Sequence, residues 1–168
     1  MNVYVVRHAI AAKRDAEKWP DDAKRPLTEE GSARFRRAAA GLRRLVPQVD
    51  VVLSSEYTRA WQTAEILHDV TGWPAPEKLT ELEATEPAAD VAGALRRRTE
   101  ESIALVGHEP QLSRLVSLLL SGSETTVRLE PKKGCVIAIL FDGSPDPGVG
   151  TLAWSATPKL LRGLERSA

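Results

Sequence analysis

The hydrophobic positions of the chain fall into short continuous runs separated by stretches of helical period. Asn2 to Val6 is a β-branched run, the pattern of a strand buried on both faces as in a parallel sheet, and it ends at Arg7-His8. A polar stretch with Pro20 and Pro26 follows. Thr28 then stands where it can cap a helix whose apolar positions Phe35, Ala38, Ala39, Leu42, Leu45 and Val46 repeat every three to four residues until Pro47 ends it. Val49 to Leu53 predicts a second strand, emptying into Ser54-Ser55. A second helix from about Thr58 carries Ala60, Trp61, Ala64, Leu67 and Val70 and stops at Gly72, with Pro74 beyond.

The segment from Pro74 to Pro87 is loop-like, with a short strand expected around Leu79 to Leu82, and Val91 to Arg98 carries a weaker helical pattern. Ile103 to Val106 is another compact apolar run. It opens through Gly107-His108-Glu109 into a helix with Pro110 in its first turn and Leu112, Leu115, Val116 and Leu119 on one face. Two late strands, Cys135 to Phe141 and Thr151 to Ala156, flank a Pro/Gly-rich turn, and an amphipathic tail begins at Thr157. Strands alternating with helices predict an α/β fold: a three-layer α/β/α sandwich around a largely parallel sheet, in a single domain over residues 1–168.

Composition narrows the function classes. The chain is 42% hydrophobic and 27% charged, that of an ordinary globular protein, and its longest apolar run is far short of the roughly 18 residues a membrane span needs. No signal-peptide pattern precedes the first strand, so a cytoplasmic location is expected. Lysine and arginine number 23 and so do aspartate and glutamate, so no global field attracts nucleic acid or an anionic membrane. The single cysteine, Cys135, lies inside an apolar run and reads as a core residue, while the three histidines show no zinc-ligand spacing. No metal or cofactor is expected, and nothing speaks to oligomeric state.

In parallel sheets ligands bind beyond the carboxyl ends of the strands. Three such ends carry reactive side chains: Arg7 and His8 after the first strand, Ser54 and Ser55 after the second with Arg59 a turn further on, and His108 after the third. Two guanidiniums, two imidazoles and a helix start suit a phosphate dianion, since arginine grips two of its oxygens at once and helix amides add positive charge. A neutral imidazole is a competent nucleophile for phosphorus, and the phosphoimidazole it forms is labile to water. His8, beside Arg7, is the candidate nucleophile, and His108 the candidate donor to a phosphoryl oxygen. Thr28 reads as a helix cap, Ser54 and Ser55 as loop hydrogen-bonders with Ser55 a candidate substrate contact, and His68 as structural. Arg14, just past the first loop, is a candidate substrate contact.

These blocks, Arg7-His8-Ala9, Arg25-Pro26-Leu27-Thr28 with Gly31, Ser54-Ser55 with Arg59-Ala60 and Gln62-Thr63-Ala64, and Val106-Gly107-His108-Glu109-Pro110, resemble in order and content the histidine phosphatase (phosphoglycerate mutase-like) superfamily, and within it the small phosphohistidine phosphatases of SixA type. The resemblance implies a phosphoglycerate mutase-like fold, phosphoryl transfer to His8, a phosphate pocket of Arg7, Arg59 and His108, and a metal-independent reaction. It also points to Glu81, or failing that Glu83, as general acid. Ala9 departs from the glycine usual there, so its backbone must avoid glycine-only angles.

Only about 44 residues separate Thr63 from His108, too few for the elaborate cap that some members place there. A large cap is therefore not expected, and an open pocket favours hydrolysis over a mutase reaction that must exclude water. The expected substrate is a phosphorylated side chain on another protein, phosphohistidine by analogy with the family. The alternatives are a small-molecule phosphatase or mutase acting on sugar phosphates or nucleotides, and a phosphate-binding domain without turnover.

Overall fold

A computed structural model describes residues 1–165; the last three residues of the expected tail and domain, 166–168, lie outside the described residues. Six strands, β1 (Asn2–Arg7), β2 (Val51–Ser54), β3 (Glu77–Lys78), β4 (Ser102–Gly107), β5 (Val136–Leu140) and β6 (Thr151–Ala156), form one sheet in the order β3-β2-β4-β1-β5-β6. The pairings among β3, β2, β4 and β1 are parallel. β6 pairs antiparallel with β5 because the turn between them returns the chain directly, and β5 also pairs antiparallel with β1. The sheet is thus mixed, its parallel half carrying the three strand ends singled out above.

Helices α1 (Glu29–Leu45), α2 (Thr58–Thr71) and α5 (Pro158–Glu165) cover one face, and α3 (Ala88–Arg96) and α4 (Gln111–Ser121) the other. The alternation along β1 divides the core accordingly. Val6 faces Phe35, Leu42 and Leu67, whereas Val3 and Val5 belong with Val91, Leu115 and Leu119. The expected caps are present: Thr28 Oγ1 accepts the Gly31 N–H at 2.9 Å, and Gly72 ends α2 at φ 80°. Cys135 is buried, and its thiol pKa is raised by that burial. His68 Nδ1 donates to the Trp73 carbonyl at 2.6 Å across the end of α2, a structural bond.

Two expectations shift. The strand placed at Leu79 to Leu82 forms two residues earlier, at Glu77–Lys78, and Thr80–Leu82 is a turn of 3-10 helix, since Leu82 points inward into the α3/α4 core. The amphipathic tail forms α5, whose Leu161 is fully buried against α1. The helix expected at Val91 to Arg98 forms at Ala88–Arg96 instead, as α3, with Ala88, Val91 and Leu95 buried in the core it shares with α4. Among the described residues no helix is long and apolar enough to cross a membrane.

Candidate active site

β4 lies between β2 and β1, so the loops that follow these strands are neighbours, and they bring Ser55, His108 and His8 together. The imidazoles of His8 and His108 stand 5.2 Å apart between ring centroids. His108 Nε2 is 2.9 Å from Ser55 Oγ, and the Tyr57 ring packs 4.9 Å from His108. Arg59, at the start of α2, lies with its guanidinium 5.1 Å from the Tyr57 ring centroid. The main chain carrying His8 is held from several directions. Its N–H bonds to the Gly107 carbonyl, Ala9 N–H to Thr63 Oγ1 at 3.0 Å, and the Arg7 and His8 carbonyls both accept from Gly134 N–H. Ala9 needs no glycine angle: among the described residues only glycines have positive φ.

Hydrogen bonds orient both rings and fix the tautomer of His8. His8 Nδ1 donates to the Ala9 carbonyl at 2.7 Å, which leaves the lone pair on Nε2. His108 Nε2 shares a hydrogen bond with the Ser55 hydroxyl, which also accepts the Tyr57 N–H, and its Nδ1 is a buried atom with no partner among the described residues. Burial pushes the His8 pKa down to about 3, with Arg59, Arg7 and Lys133 adding to the effect and the Ala9 carbonyl opposing it. Burial likewise takes His108 down to about 2, reinforced by His8 and Arg59 and opposed by Asp22. Both imidazoles are neutral at neutral pH.

The cations are anchored through their outer nitrogens. Arg7 Nη1 donates to the Pro131 carbonyl at 2.6 Å. Arg59 Nη1 donates to the Asp22 carbonyl at 2.7 Å, and its Nη2 pairs with Asp22 Oδ2 at 3.1 Å. Asp22 also pairs with Arg25 at 2.9 Å and with Arg14 at 3.4 Å. Burial works to raise the Asp22 pKa, but the Arg25 hydrogen bond and the fields of Arg59, Arg25 and Arg14 outweigh it, and the carboxyl titrates below its ordinary range. The Nε atoms of Arg7 and Arg59 are buried without partners among the described residues. The two arginine Nε–H donors and the His108 Nδ1 atom are thus buried and unpaired on residues that act on or pack against His8. Each carries a desolvation cost of roughly 1–3 kcal/mol, a pattern met where a site is built for an acceptor.

The structure brings Arg7, His8, Ser55, Arg59 and His108 together. Arg14 reaches the group only through Asp22, and its side chain is 82% exposed. Glu81 is turned elsewhere: its carboxylate pairs with Arg97 at 3.3 Å, and its carbonyl accepts from Gln111 Nε2. Neither Glu81 nor Glu83 makes a hydrogen bond or ion pair to the two histidines, Arg7 or Arg59. Asp22, Tyr57 and Lys133 belong to the surroundings of the site without any mark in the sequence, and Arg25 joins them, a residue the sequence marks only as part of a motif block. Lys133, next to Gly134, has its pKa lowered by burial and by Arg7, Arg25 and Arg59. Among the described residues no three His, Cys, Asp or Glu side chains converge as a metal cage.

A six-strand α/β sheet with a histidine and arginine cluster at its parallel strand ends defines a phosphoryl-transfer protein of the histidine phosphatase type. The chain belongs to the histidine phosphatase superfamily (branch 1), whose family model matches residues 3–86. It is 32% identical over 166 residues to the phosphohistidine phosphatase SixA of Escherichia coli K12, covering 96% of this chain and 97% of that protein. Its fold matches a structure of the protein histidine phosphatase SixA complexed with tungstate, with a TM-score of 0.79 and 29% identity over 95% of this chain and 98% of the other. A mycobacterial glucosyl-3-phosphoglycerate phosphatase shares the fold alone, with a TM-score of 0.65 at 15% identity over 93% of this chain and 99% of that one. The chain is a phosphatase of phosphoglycerate mutase-like fold.

Proposed function

We propose that the protein is a phosphohistidine phosphatase acting on a phosphorylated protein, with His8 as nucleophile. The observation that carries the site assignment is the pair of unsatisfied arginine Nε–H donors, with the unpaired His108 Nδ1, on the neighbours of a neutral imidazole whose Nε2 lone pair is free. Arg7 and Arg59 clamp the phosphoryl group, and His108 donates Nδ1–H to one of its oxygens as negative charge gathers there. His8 Nε2 attacks phosphorus, the bond from phosphorus to the leaving nitrogen or oxygen breaks, and a water then attacks phosphorus to release orthophosphate and restore the imidazole. Asp22 acts through Arg59 as a positioning residue, and Ser55 through His108.

The substrate class is supported by the SixA relatives and by tungstate, a tetrahedral oxyanion of phosphate's shape, in one of them. It is also supported by Glu81, whose carboxylate is occupied by Arg97. A phosphohistidine leaving group can carry its own proton and has little need of a protein acid, whereas an alkoxide leaving group needs one. Since carboxylates rearrange when substrate binds, the assignment of Glu81 as acid is tested with the rest.

The test measures orthophosphate release from a phosphohistidine peptide, a sugar phosphate and a nucleotide, with wild type, His8→Ala and Glu81→Gln in excess chelator. Expected are turnover of the phosphohistidine peptide, an acid-labile phosphoenzyme in wild type and none in His8→Ala, with a rate loss of about 10³-fold or more for removal of a covalent nucleophile. Glu81→Gln retains the phosphohistidine rate. An unchanged rate in His8→Ala rejects the nucleophile, and selective turnover of the sugar phosphate rejects the substrate class.

A further inference from the structure

Beside the strand-end site, a groove of about 480 Å³ runs between the loop after β1, the start of α1, the segment before β5 and the start of α5. Its rim carries Arg34, Lys132, Lys159 and Arg162, and its wall toward His8 is made by Arg7 and Lys133. Among the described residues no aspartate or glutamate lines it. Among the described residues no carboxylate pairs with Lys132, Lys159 or Arg162, and Arg34 pairs only with exposed Glu30 one turn away on α1. The chain as a whole has equal numbers of acidic and basic side chains, so this concentration is local. The floor is apolar, made by Phe35, Pro158 and Ile10, the last 36% exposed.

We infer that this groove is the docking site for an acidic segment of the protein whose phosphorylated side chain enters the His8 pocket. The inference rests on the reading of the site as a phosphoprotein phosphatase and adds how the partner is recognised. Three features favour an extended acidic chain over a second phosphate of a small molecule. The cations Lys132 and Lys159 are exposed and stand on separate segments, one before β5 and one at the start of α5. The apolar floor accepts a side chain that a sugar phosphate lacks. The shared wall of Arg7 and Lys133 sets the groove immediately next to the reacting group, so flanking residues of the phosphorylated chain fall into it. Exposed charge complementarity of this kind acts mainly on encounter and orientation and is screened by salt.

The test compares two phosphohistidine peptides with the same core, one flanked by Asp and Glu and one by Ser and Gly, together with p-nitrophenyl phosphate. Each is assayed with wild type and with the triple variant Lys132→Ala, Lys159→Ala, Arg162→Ala. Fluorescence anisotropy with unphosphorylated versions of both peptides reads docking without turnover. The expected result is a preference of about tenfold in kcat/KM for the acidic flank, shrinking at high salt and lost in the triple variant, with p-nitrophenyl phosphate turned over at an unchanged rate. Equal rates on both peptides, or a preference that survives in the triple variant, overturns the inference. If phosphohistidine peptides are not hydrolysed at all, the substrate reading fails and anisotropy alone decides the groove. Binding of the acidic peptide to wild type and not to the variant then upholds it, and absence of binding overturns it. A groove that instead tightens a sugar bisphosphate through the same three residues, with no response to acidic peptide, also overturns it.

Discussion

Burying two imidazoles side by side among guanidiniums has a cost that is fixed by pH. His8 and His108 hold their protons far less readily in the folded chain, at about 3 and about 2, than at the ordinary value of 6.5. A histidine whose folded pKa is depressed contributes its full stability above pH 6.5 and loses it as pH falls from there toward the folded value, because the unfolded chain takes up protons that the native state refuses. The slope is about 1.4 kcal/mol per pH unit for each histidine, so the free energy of unfolding should fall by roughly 2 kcal/mol per histidine between pH 7 and pH 5. Urea denaturation at the two pH values measures this, and His8→Asn should recover about half of the loss. Imidazole nitrogen shifts of His8 and His108 should stay at neutral values down to pH 4; a titration near 6.5 in either would show that its ring is solvated. The residues behind this electrostatics divide by how visible they are in the sequence. Arg7, His8 and His108 stand directly at the ends of apolar runs, where a sheet must present them. Asp22 lies in a polar stretch with Asp15, Asp21 and several lysines and arginines, and nothing local marks it as the acid that three arginines share. Lys133 precedes a glycine and a strand, and the only available signal was that glycine, Gly134, at φ 79°.

At the level of elements, the start of α1 and the loop after β1 are built as one piece. Gly31 lies so close to the Ile10 carbonyl that a Cβ there would overlap it, and Thr28 both caps α1 and donates its N–H to the same carbonyl at 3.0 Å. Gln62 Oε1 accepts the Leu27 N–H at 2.8 Å and Thr63 Oγ1 the Ala9 N–H at 3.0 Å, so α2 fixes both ends of the loop that follows His8. Gly31→Ala should therefore destabilise by about 1–3 kcal/mol through overpacking, and also lower kcat/KM because the displaced loop carries the nucleophile. Thermal denaturation and steady-state kinetics on one sample check both, and a stability loss with unchanged kinetics would uncouple the loop from the site. Helices α1, α2 and α4 and the central strands are legible because each has a strong period and marked ends: α2 runs from Thr58 to its glycine stop as the pattern predicts, whereas the weak period of α3 leaves its start three residues off. The edge strand β3 was misplaced because two residues, both exposed, carry no period. The antiparallel half of the sheet follows from β5 pairing with β1, a long-range choice with no local trace.

For the molecule as a whole, the native state without an anion holds like charges together. Arg7, Arg25, Arg59 and Lys133 lie close enough to act on one another or on His8, and Asp22 is the acid that offsets them. A tetrahedral oxyanion bound between Arg7, Arg59 and His108 would satisfy the unpaired arginine Nε–H donors and reduce that repulsion, and because the unfolded chain has no such arrangement, binding must stabilise the fold. At a concentration 100 times Kd the gain is about 2.7 kcal/mol. For a domain of this size that corresponds to a rise in Tm of roughly 5–11 °C. Orthophosphate or tungstate added against chloride at constant ionic strength should produce this rise, since a general salt effect would appear with chloride as well. Arg59→Ala should abolish most of the response while leaving the response to chloride as in wild type. Lys159→Ala, on the far rim of the neighbouring groove, should leave the oxyanion response intact, because the phosphoryl cradle and the groove share only Arg7 and Lys133. A Tm that does not respond to either oxyanion would mean that the donors around His8 do not form one anion site, and the reaction assigned to that residue would lose its physical basis.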